Sequence, residues 1–517
     1  MALPRFFDRI ADASLPLLGS PLRRDFRAAL ERSAVTLEAP EEPADAALRA
    51  GWMLTADLCA RLYPAIHLAG RANLVTEAAR RILDVNPACD VRDATRMALP
   101  ALTWRRHANA TTVFAGASGW NCVVDRAPEV RQAPTAPAAL AAAAVGAGQL
   151  FRTVFAEMLG SSARRAPEPG GFNLISLKPW DEQPRPVSGL AVGEVHLVGC
   201  GAVGEATALT LVAASARGHI LGVEDQPVEL SNLQRYVLTI DASEGRHKLD
   251  VLEDALRGSA MSLTKIPARW GLDARAMAGS TDTVLVAVDT AEARIAIQAG
   301  LPPRAYNAFT GPLDLGWSRH ERFGDEPCLA CLYWPTGPSP ERHDVVGADL
   351  GEHPLRVLMY LLSGTPVGSP LPLVQASPTL PPPRDAARWL RVSLLEDLKG
   401  RFHISDTIGW AALSLDQLYR DGICGGGIAR REGAPSGDMS VPLAHQSALA
   451  GIMLATQLLA ASEPSLARLR PREVEARYNT LGRPSQQLPL PGGRAPGCIC
   501  GDRDYLSRAK EVGIQLT

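Results

Sequence analysis

The sequence has little of several things, and each shortage excludes something. Aromatic residues make up 5% of its 517 residues, and the formal net charge is only −2. A near-neutral balance gives no support to nucleic-acid binding or membrane-surface attraction through bulk charge. No apolar run reaches the ~20 residues needed to cross a bilayer. The nearest, Ala138–Leu150, is mostly alanine. The opening residues, MALPRFFDRIADASLPLL, lack the continuous apolar stretch of a secretory signal. Nine cysteines are an odd count without the spacing of a disulfide framework. The expected setting is a reducing cytoplasm, with some thiols free and some available to a metal.

What is present reads as a globular α/β protein. Hydrophobic residues are 46% and charged residues 21%, and the length suggests about two to four domains. The chain is organised around EVHLVGCGAVGEATALTLVAASARGHILGVEDQPVELSNLQR, from Glu194 to Arg235. A buried strand, Val195–Val198, runs into Gly199, Gly201 and Gly204 in a G-x-G-x-x-G turn, then a helix, then a second strand ending at Glu224. Glycine allows a tight turn and close approach of backbone to phosphate, and the helix offers its first N–H groups to the anion. Glu224 stands where an acid would hold a ribose hydroxyl. Nucleotide binding is the expectation.

A fainter copy precedes it. Ala65–Leu83, AIHLAGRANLVTEAARRIL, lays His67, Leu68 and Gly70 on His196, Leu197 and Gly199, with Ala72 and Val75 in place of the other two glycines. A valine at the third glycine position should block close packing, so this half reads as a nucleotide fold that has lost its nucleotide. Two small-residue helices, Ala139–Phe151 and Ser447–Leu459, fall late in the two halves. Pro- and Gly-rich segments at Arg164–Gly171 and Pro179–Gly189 separate the halves. Residues 1–50 are expected to be amphipathic helix, as in Pro21–Ser33. Thr283–Asp289 reads as a buried parallel strand ending in an acid, and 335–400 as an insertion or crossover.

The residues after Glu224 narrow the chemistry. The chain continues DQPVELSNLQRYVL, reaches Lys248, and later carries DTAEAR from Asp289 to Arg294. A glycine loop, an acid, S-N-L-x-R, a lysine and Asp-x-x-x-x-Arg in this order resemble the ubiquitin-activating-type (ThiF-like) adenylation family. That family includes the sulfur-carrier adenylyltransferases of thiamine and molybdopterin synthesis. The resemblance is specific over Val195–Arg294 and looser beyond. The side chains also suit such chemistry in their own right. Arg235 as a planar fork and Lys248 as a point charge can neutralise a triphosphate, Asn232 can donate to phosphate or ribose, and Asp289 is a natural Mg²⁺ ligand.

The resemblance implies two Rossmann-like adenylation domains, the first degenerate. Residues 1–187 would be an inactive adenylation-like domain and 188–334 the nucleotide-binding part of the active one. Residues 335–440 would form a crossover carrying the catalytic cysteine, with 441–517 returning to the active domain and its zinc-binding tail. Cys328 and Cys331 (C-x-x-C) with Cys498 and Cys500 (C-x-C) form two close thiol pairs suited to tetrahedral Zn²⁺. Cys424 lies in the glycine-rich DGICGGGIARREGAPSGDMSVPL with Arg430 and Arg431 near by, a setting that favours a reactive thiolate. Cys200, Cys59, Cys89 and Cys122 are expected to be structural. By resemblance the chain is an activating enzyme of a bacterial ubiquitin-like conjugation system, some of which act in antiphage defence. It would use ATP and Mg²⁺, with a β-grasp carrier and a conjugating enzyme as partners. No nucleic-acid or membrane partner is expected, and a homodimer is left open. The alternatives are a sulfur-carrier adenylyltransferase without thioester transfer and, from another class, an NAD-dependent oxidoreductase.

Overall fold

The computed structural model describes residues 3–14, 23–41, 45–94, 99–105, 112–124, 132–159, 170–271, 282–311, 314–334, 342–371, 388, 390–402, 409–419, 442–479, 488–490 and 492–514. Two compact units emerge. One comprises Met1–Trp334 with Pro442–Thr517, and the other Pro335–Val441.

The first unit holds two sheets. In the front half the strands are β1 (Val35–Glu38), β2 (Ala65–Ala69), β3 (Asp90–Asp93), β4 (Ala101–Thr103), β5 (Thr112–Ser118), β6 (Asn121–Val124) and β7 (Gly170–Asn173). They lie in the order β3-β2-β1-β4-β5-β6-β7. In the back half come β8 (Ala191–Val198), β9 (Arg217–Val223), β10 (Met261–Ile266), β11 (Thr283–Val286), β12 (Arg304–Thr310), β13 (Leu315–His320), β14 (Glu475–Tyr478) and β15 (Leu488–Leu490). Their order is β10-β9-β8-β11-β12-β13-β14-β15. In each sheet the first five strands are parallel and the remainder antiparallel. Strand for strand, among the described residues, the front sheet repeats the back one with a single strand fewer.

This topology corrects the register of the sequence echo. The counterpart of β8 is β1, whereas Ala65–Ala69 is β2 and occupies the place of β9. His67 and His196 therefore lie on strands of different position, and Gly70 is not the partner of Gly199. The strand that matters was hidden inside a stretch expected to be helical. Helices do form at Phe7–Ser14 and Arg23–Glu31, but VTLE from Val35 to Glu38 is a fully buried strand. Four residues are too few to display a period.

The small-residue helices occupy equivalent places, Ala136–Val154 between β6 and β7 and Ala444–Ala461 between β13 and β14. Both are buried along nearly their whole length. Ala444–Ala461 packs on Ala136–Val154 and on the helix Ala202–Ala213. Alanine and glycine side chains allow that close approach on several sides at once, at little entropic cost. Thr207 Oγ1, on Ala202–Ala213, donates to the Gly451 carbonyl at 3.2 Å. The two halves thus meet helix to helix directly behind the glycine loop.

The Pro335–Val441 unit carries its own core. Val346, Leu350, Val357, Tyr360, Leu394, Leu398, Leu415 and Leu418 cluster there, from the helices Arg342–Leu350, Pro354–Ser363 and Leu394–Phe402 and the short turn near Leu415.

Candidate functional site

β8 has β9 on one side and β11 on the other, so the chain changes direction across the sheet between β8 and β11. Such a switch point opens a crevice at the carboxyl ends of the strands, where open α/β sheets bind ligands. The glycine loop sits there. Gly199 has φ +88°, and a Cβ on it would lie 2.7 Å from the Ala287 carbonyl, just past β11. At Gly204 a Cβ would come within 2.2 Å of the Gly199 carbonyl. Both positions exclude a side chain, one by conformation and one by contact. Gly201 is the N-cap of Ala202–Ala213 and no side chain among the described residues caps that helix, so its first N–H groups remain available to an anion.

Glu224, at the end of β9, accepts from the Cys200 N–H with Oε2 and from the Asp225 and Gln226 N–H groups with Oε1, each at 3.1 Å. Lys248 Nζ stands 3.8 Å from Glu224 Oε2 and donates to Gln226 Oε1 at 2.8 Å. Burial by itself would lower the pKa of Lys248, but Tyr236 and Glu224 outweigh it and the lysine is held above its ordinary value. It is charged at neutral pH.

Asn232 lies in the 3-10 turn Leu230–Gln234. Its Oδ1 accepts from the Glu229 N–H at 3.0 Å, and its Nδ2 donates to Ser231 Oγ at 3.5 Å, which leaves the amide a second N–H to donate. Arg235 follows, with its guanidinium 5.5 Å from the centre of the Tyr236 ring. Its Nη1 is buried and has no hydrogen-bond partner among the described residues. A buried, unpartnered N–H of a cation is costly unless an anion meets it.

Tyr236 was not singled out from the sequence. Its ring also faces Lys248, with Nζ 5.6 Å from the centroid, and its hydroxyl is the atom a Cβ on Gly201 would strike, at 2.9 Å. One buried tyrosine therefore joins the glycine loop to both cations. The residue adjoins Arg235 in the chain, which is the only sequence signal it gives.

Asp289 is exposed, two residues beyond the Ala287 carbonyl that abuts Gly199. Its turn is fixed by Arg294, which is 5% exposed. Arg294 Nη1 donates to the Thr290 carbonyl at 3.2 Å, Nη2 to the Val288 carbonyl, and Nε to Asn307 Oδ1 at 3.1 Å. Of the Asp-x-x-x-x-Arg pair, the aspartate faces outward while the arginine is spent on holding it.

The four cysteines Cys328, Cys331, Cys498 and Cys500 form a cluster with all Sγ atoms within 4.8 Å of one another. The separations are 3.8 Å for Cys328–Cys331, 3.6 Å for Cys328–Cys498 and 3.4 Å for Cys331–Cys500. These are far too long for disulfides. Four sulfurs at ~2.3 Å from a tetrahedral Zn²⁺ would lie about 3.8 Å apart, so the set fits that ion. Leu301, Phe323, Ala509 and Ile514 pack around it. The cluster ties the tail to the helix Leu329–Tyr333, and Tyr333 lies under Arg294 at 4.7 Å.

The structure thus gathers Gly199, Gly201, Gly204, Glu224, Lys248 and Arg235 around one crevice, with Asn232 in the adjoining turn and Asp289 on the neighbouring strand end. Cys424, Arg430 and Arg431 lie outside the described residues. Cys200 is fully buried, and burial pushes its thiol well above the ordinary value. No helix among the described residues is long and apolar enough to cross a membrane.

An uncharacterized protein of Sinorhizobium fredii (strain NBRC 101917 / NGR234), y4jF, is 32% identical over 523 residues, covering 98% of this chain and 96% of its own. Among solved structures, E. coli MccB with MccA-N7isoASN is 13% identical, with a TM-score of 0.35 over 60% of this chain and 67% of that one. PaaA is 21% identical, with a TM-score of 0.21 over 24% and 40% of the two chains. Residues 41–156 match the family described as Prokaryotic E2 family C. Residues 186–463, more than half the chain and including the whole crevice, match the ThiF family. The chain belongs to the ThiF family of adenylating enzymes.

Proposed function

We propose that this chain activates the C-terminal carboxylate of a ubiquitin-like β-grasp protein. A carboxylate oxygen of the carrier attacks the α-phosphorus of ATP, pyrophosphate leaves, and an acyl-adenylate forms. The Cys424 thiolate then attacks the acyl carbon and AMP leaves, giving a thioester for a conjugating enzyme. The observation that carries the reading is the buried, unpartnered Nη1 of Arg235 beside charged Lys248 at an uncapped helix N-terminus. Fixed donors of this kind stabilise the charge that develops on the phosphates without reorganising. Glu224 would hold the ribose, Asn232 a phosphate or ribose oxygen, and Asp289 the Mg²⁺, which supplies further charge neutralisation when bound. The cysteine cluster would hold a structural zinc that keeps the tail, and through Tyr333 the Arg294 tether, in place.

On this reading residues 1–187 are an inactive partner domain, 188–334 and 441–517 the active one, and 335–440 the crossover. The Prokaryotic E2 match raises a second role for the front half, since a conjugating step needs a reactive thiol. Its three cysteines argue against that. Cys59, Cys89 and Cys122 are buried, and burial raises all three thiols, Cys89 and Cys122 to about 12.

The test is to incubate the full chain with ATP, Mg²⁺ and the β-grasp protein encoded nearest its gene, following ATP–pyrophosphate exchange and a reducible adduct on a non-reducing gel. Exchange together with an adduct lost in Cys424→Ala is the expected result. Exchange without adduct leaves adenylation, as in a sulfur-carrier enzyme, and removes Cys424 from the mechanism. Absence of exchange together with NAD(H) binding would overturn the reading.

A further inference from the structure

The segment Leu230–Thr239 carries Asn232 and Arg235, yet no strand or long helix holds it. After the 3-10 turn Leu230–Gln234 it continues as turns and irregular chain. Local turn bonds satisfy the N–H groups of Asn232, Arg235, Tyr236 and Thr239, and side chains from elsewhere meet several of the remaining peptide groups. Within the back half, the Leu238 N–H donates to Glu205 Oε2 at 2.7 Å. The other ties come from the front half. Arg61, the C-cap of the helix Ala46–Ala60, donates through Nη1 to the Leu233 carbonyl and through Nη2 to the Thr239 carbonyl at 2.8 Å. Arg81 Nη2 donates to the Val237 carbonyl at 2.7 Å.

The two arginines share one carboxylate. Arg61 Nε donates to Asp57 Oδ2 at 2.8 Å, and Arg81 Nε to Asp57 Oδ1 at 2.7 Å. The side chains of Arg61 and Asp57 are 0% and 4% exposed. Buried ion groups are poor devices for stability, because desolvation consumes most of their mutual attraction. They are good devices for geometry, since a guanidinium fork on a fixed carboxylate has little freedom left. Here N–H groups of both arginines also reach the Leu233, Val237 and Thr239 carbonyls flanking Arg235, so the backbone there is held while Arg235 Nη1 has no partner among the described residues.

We propose that Arg61 and Arg81, with Asp57 between them, are positioning residues for the adenylation site. The front half acts by holding the Asn232–Arg235 segment in its phosphate-ready form rather than by touching nucleotide. The role for nucleotide rests on the adenylation reading above; the ordering of the segment does not.

Hydrogen–deuterium exchange of the full chain, paired with calorimetric titration of ATP–Mg²⁺, tests it. In Arg81→Met, exchange at Leu233–Thr239 should accelerate about tenfold or more while the β8 amides keep their wild-type rate, and the ATP Kd should rise about tenfold. Arg81→Lys, which keeps a donor for Val237, should recover most of both. Arg61→Met should show a larger version; if it fails to fold, the Arg81 pair decides alone. Unchanged exchange in the segment, or equal acceleration in the segment and β8, would overturn the proposal, because the arginines would then be inert or merely stabilising. A wild-type chain that binds no ATP–Mg²⁺ would overturn the nucleotide reading instead, with the exchange pattern still deciding whether the clamp orders the segment.

Discussion

The two switch points of this molecule are built on the same strand order and begin the following helix in opposite ways. In the back half, the helix after β8 begins at Gly201 with no side-chain cap, beside Lys248 and an unpartnered nitrogen of Arg235. In the front half, the helix after β1 begins with Asp45, whose Oδ1 accepts from the Ala47 and Leu48 N–H groups at 2.8 and 3.0 Å. The chain between them reads APEEPAD, without a glycine. Glu38 ends β1 buried, accepting from Thr103 Oγ1 at 2.7 Å and lying 3.4 Å from Arg105. A helix N-terminus attracts negative charge wherever it comes from. The front half supplies its own carboxylate; the back half leaves the place open. On the proposed reading of the front half as inactive, the occupied helix terminus would exclude nucleotide along with the missing glycines.

The comparison can be broken from either side. The largest effect is expected from Gly204→Val, whose side chain would drive into the Gly199 carbonyl; ATP binding by calorimetry should weaken at least ~100-fold. Arg235→Ala should reduce ATP–pyrophosphate exchange by about ten- to hundredfold while leaving the melting temperature near wild type. A third test uses Glu205, in the first turn of Ala202–Ala213, which faces Arg61, Asp57, Cys200 and Tyr236. Burial pushes its pKa from 4.5 to about 7. The folded state then keeps a proton that the unfolded chain releases, so stability should fall as pH rises through that window and level off above it. The change is on the order of 3 kcal/mol. Glu205→Gln, which retains an acceptor for Leu238, should flatten the profile in urea titrations at several pH values. Smaller still, Asp45→Ala should cost about 1 kcal/mol in the front half, with no change in ATP affinity. Glu38→Gln should leave ATP affinity at the wild-type value; a rise in nucleotide stoichiometry for either front-half variant would mean that the front crevice is only masked.

Much of the back half was legible in the sequence because its signals are local. The glycine spacing, Glu224 at a strand end, S-N-L-x-R, Lys248 and the two cysteine pairs lie within short stretches whose chemistry can be read residue by residue. The small-residue helices also stood out, since a run such as ALAAAAVGAGQL has few other uses. What escaped were long-range relations. Arg61 and Arg81 meet the Leu233–Thr239 backbone from more than 150 residues away, and nothing beside them in the chain marks them. Tyr236 works through a ring face that has no sequence pattern. The echo at Ala65–Leu83 misled because any βα unit of a doubly wound sheet shows a strand, a small turn and a helix. The sheet position that decides which unit is which depends on VTLE at Val35–Glu38, too short to announce itself.

One further consequence follows from the separate core of Pro335–Val441, in which Tyr360 and Leu394–Leu398 are packed with residues of the same segment. A segment with its own apolar interior need not melt with the sheets that precede and follow it in the chain. Heating or urea should reveal more than one transition, in which case no single unfolding free energy describes the chain. A ligand for the crevice would raise the midpoint of one cooperative block and leave the other where it was, which makes thermal shift a domain-resolved assay for whatever binds here.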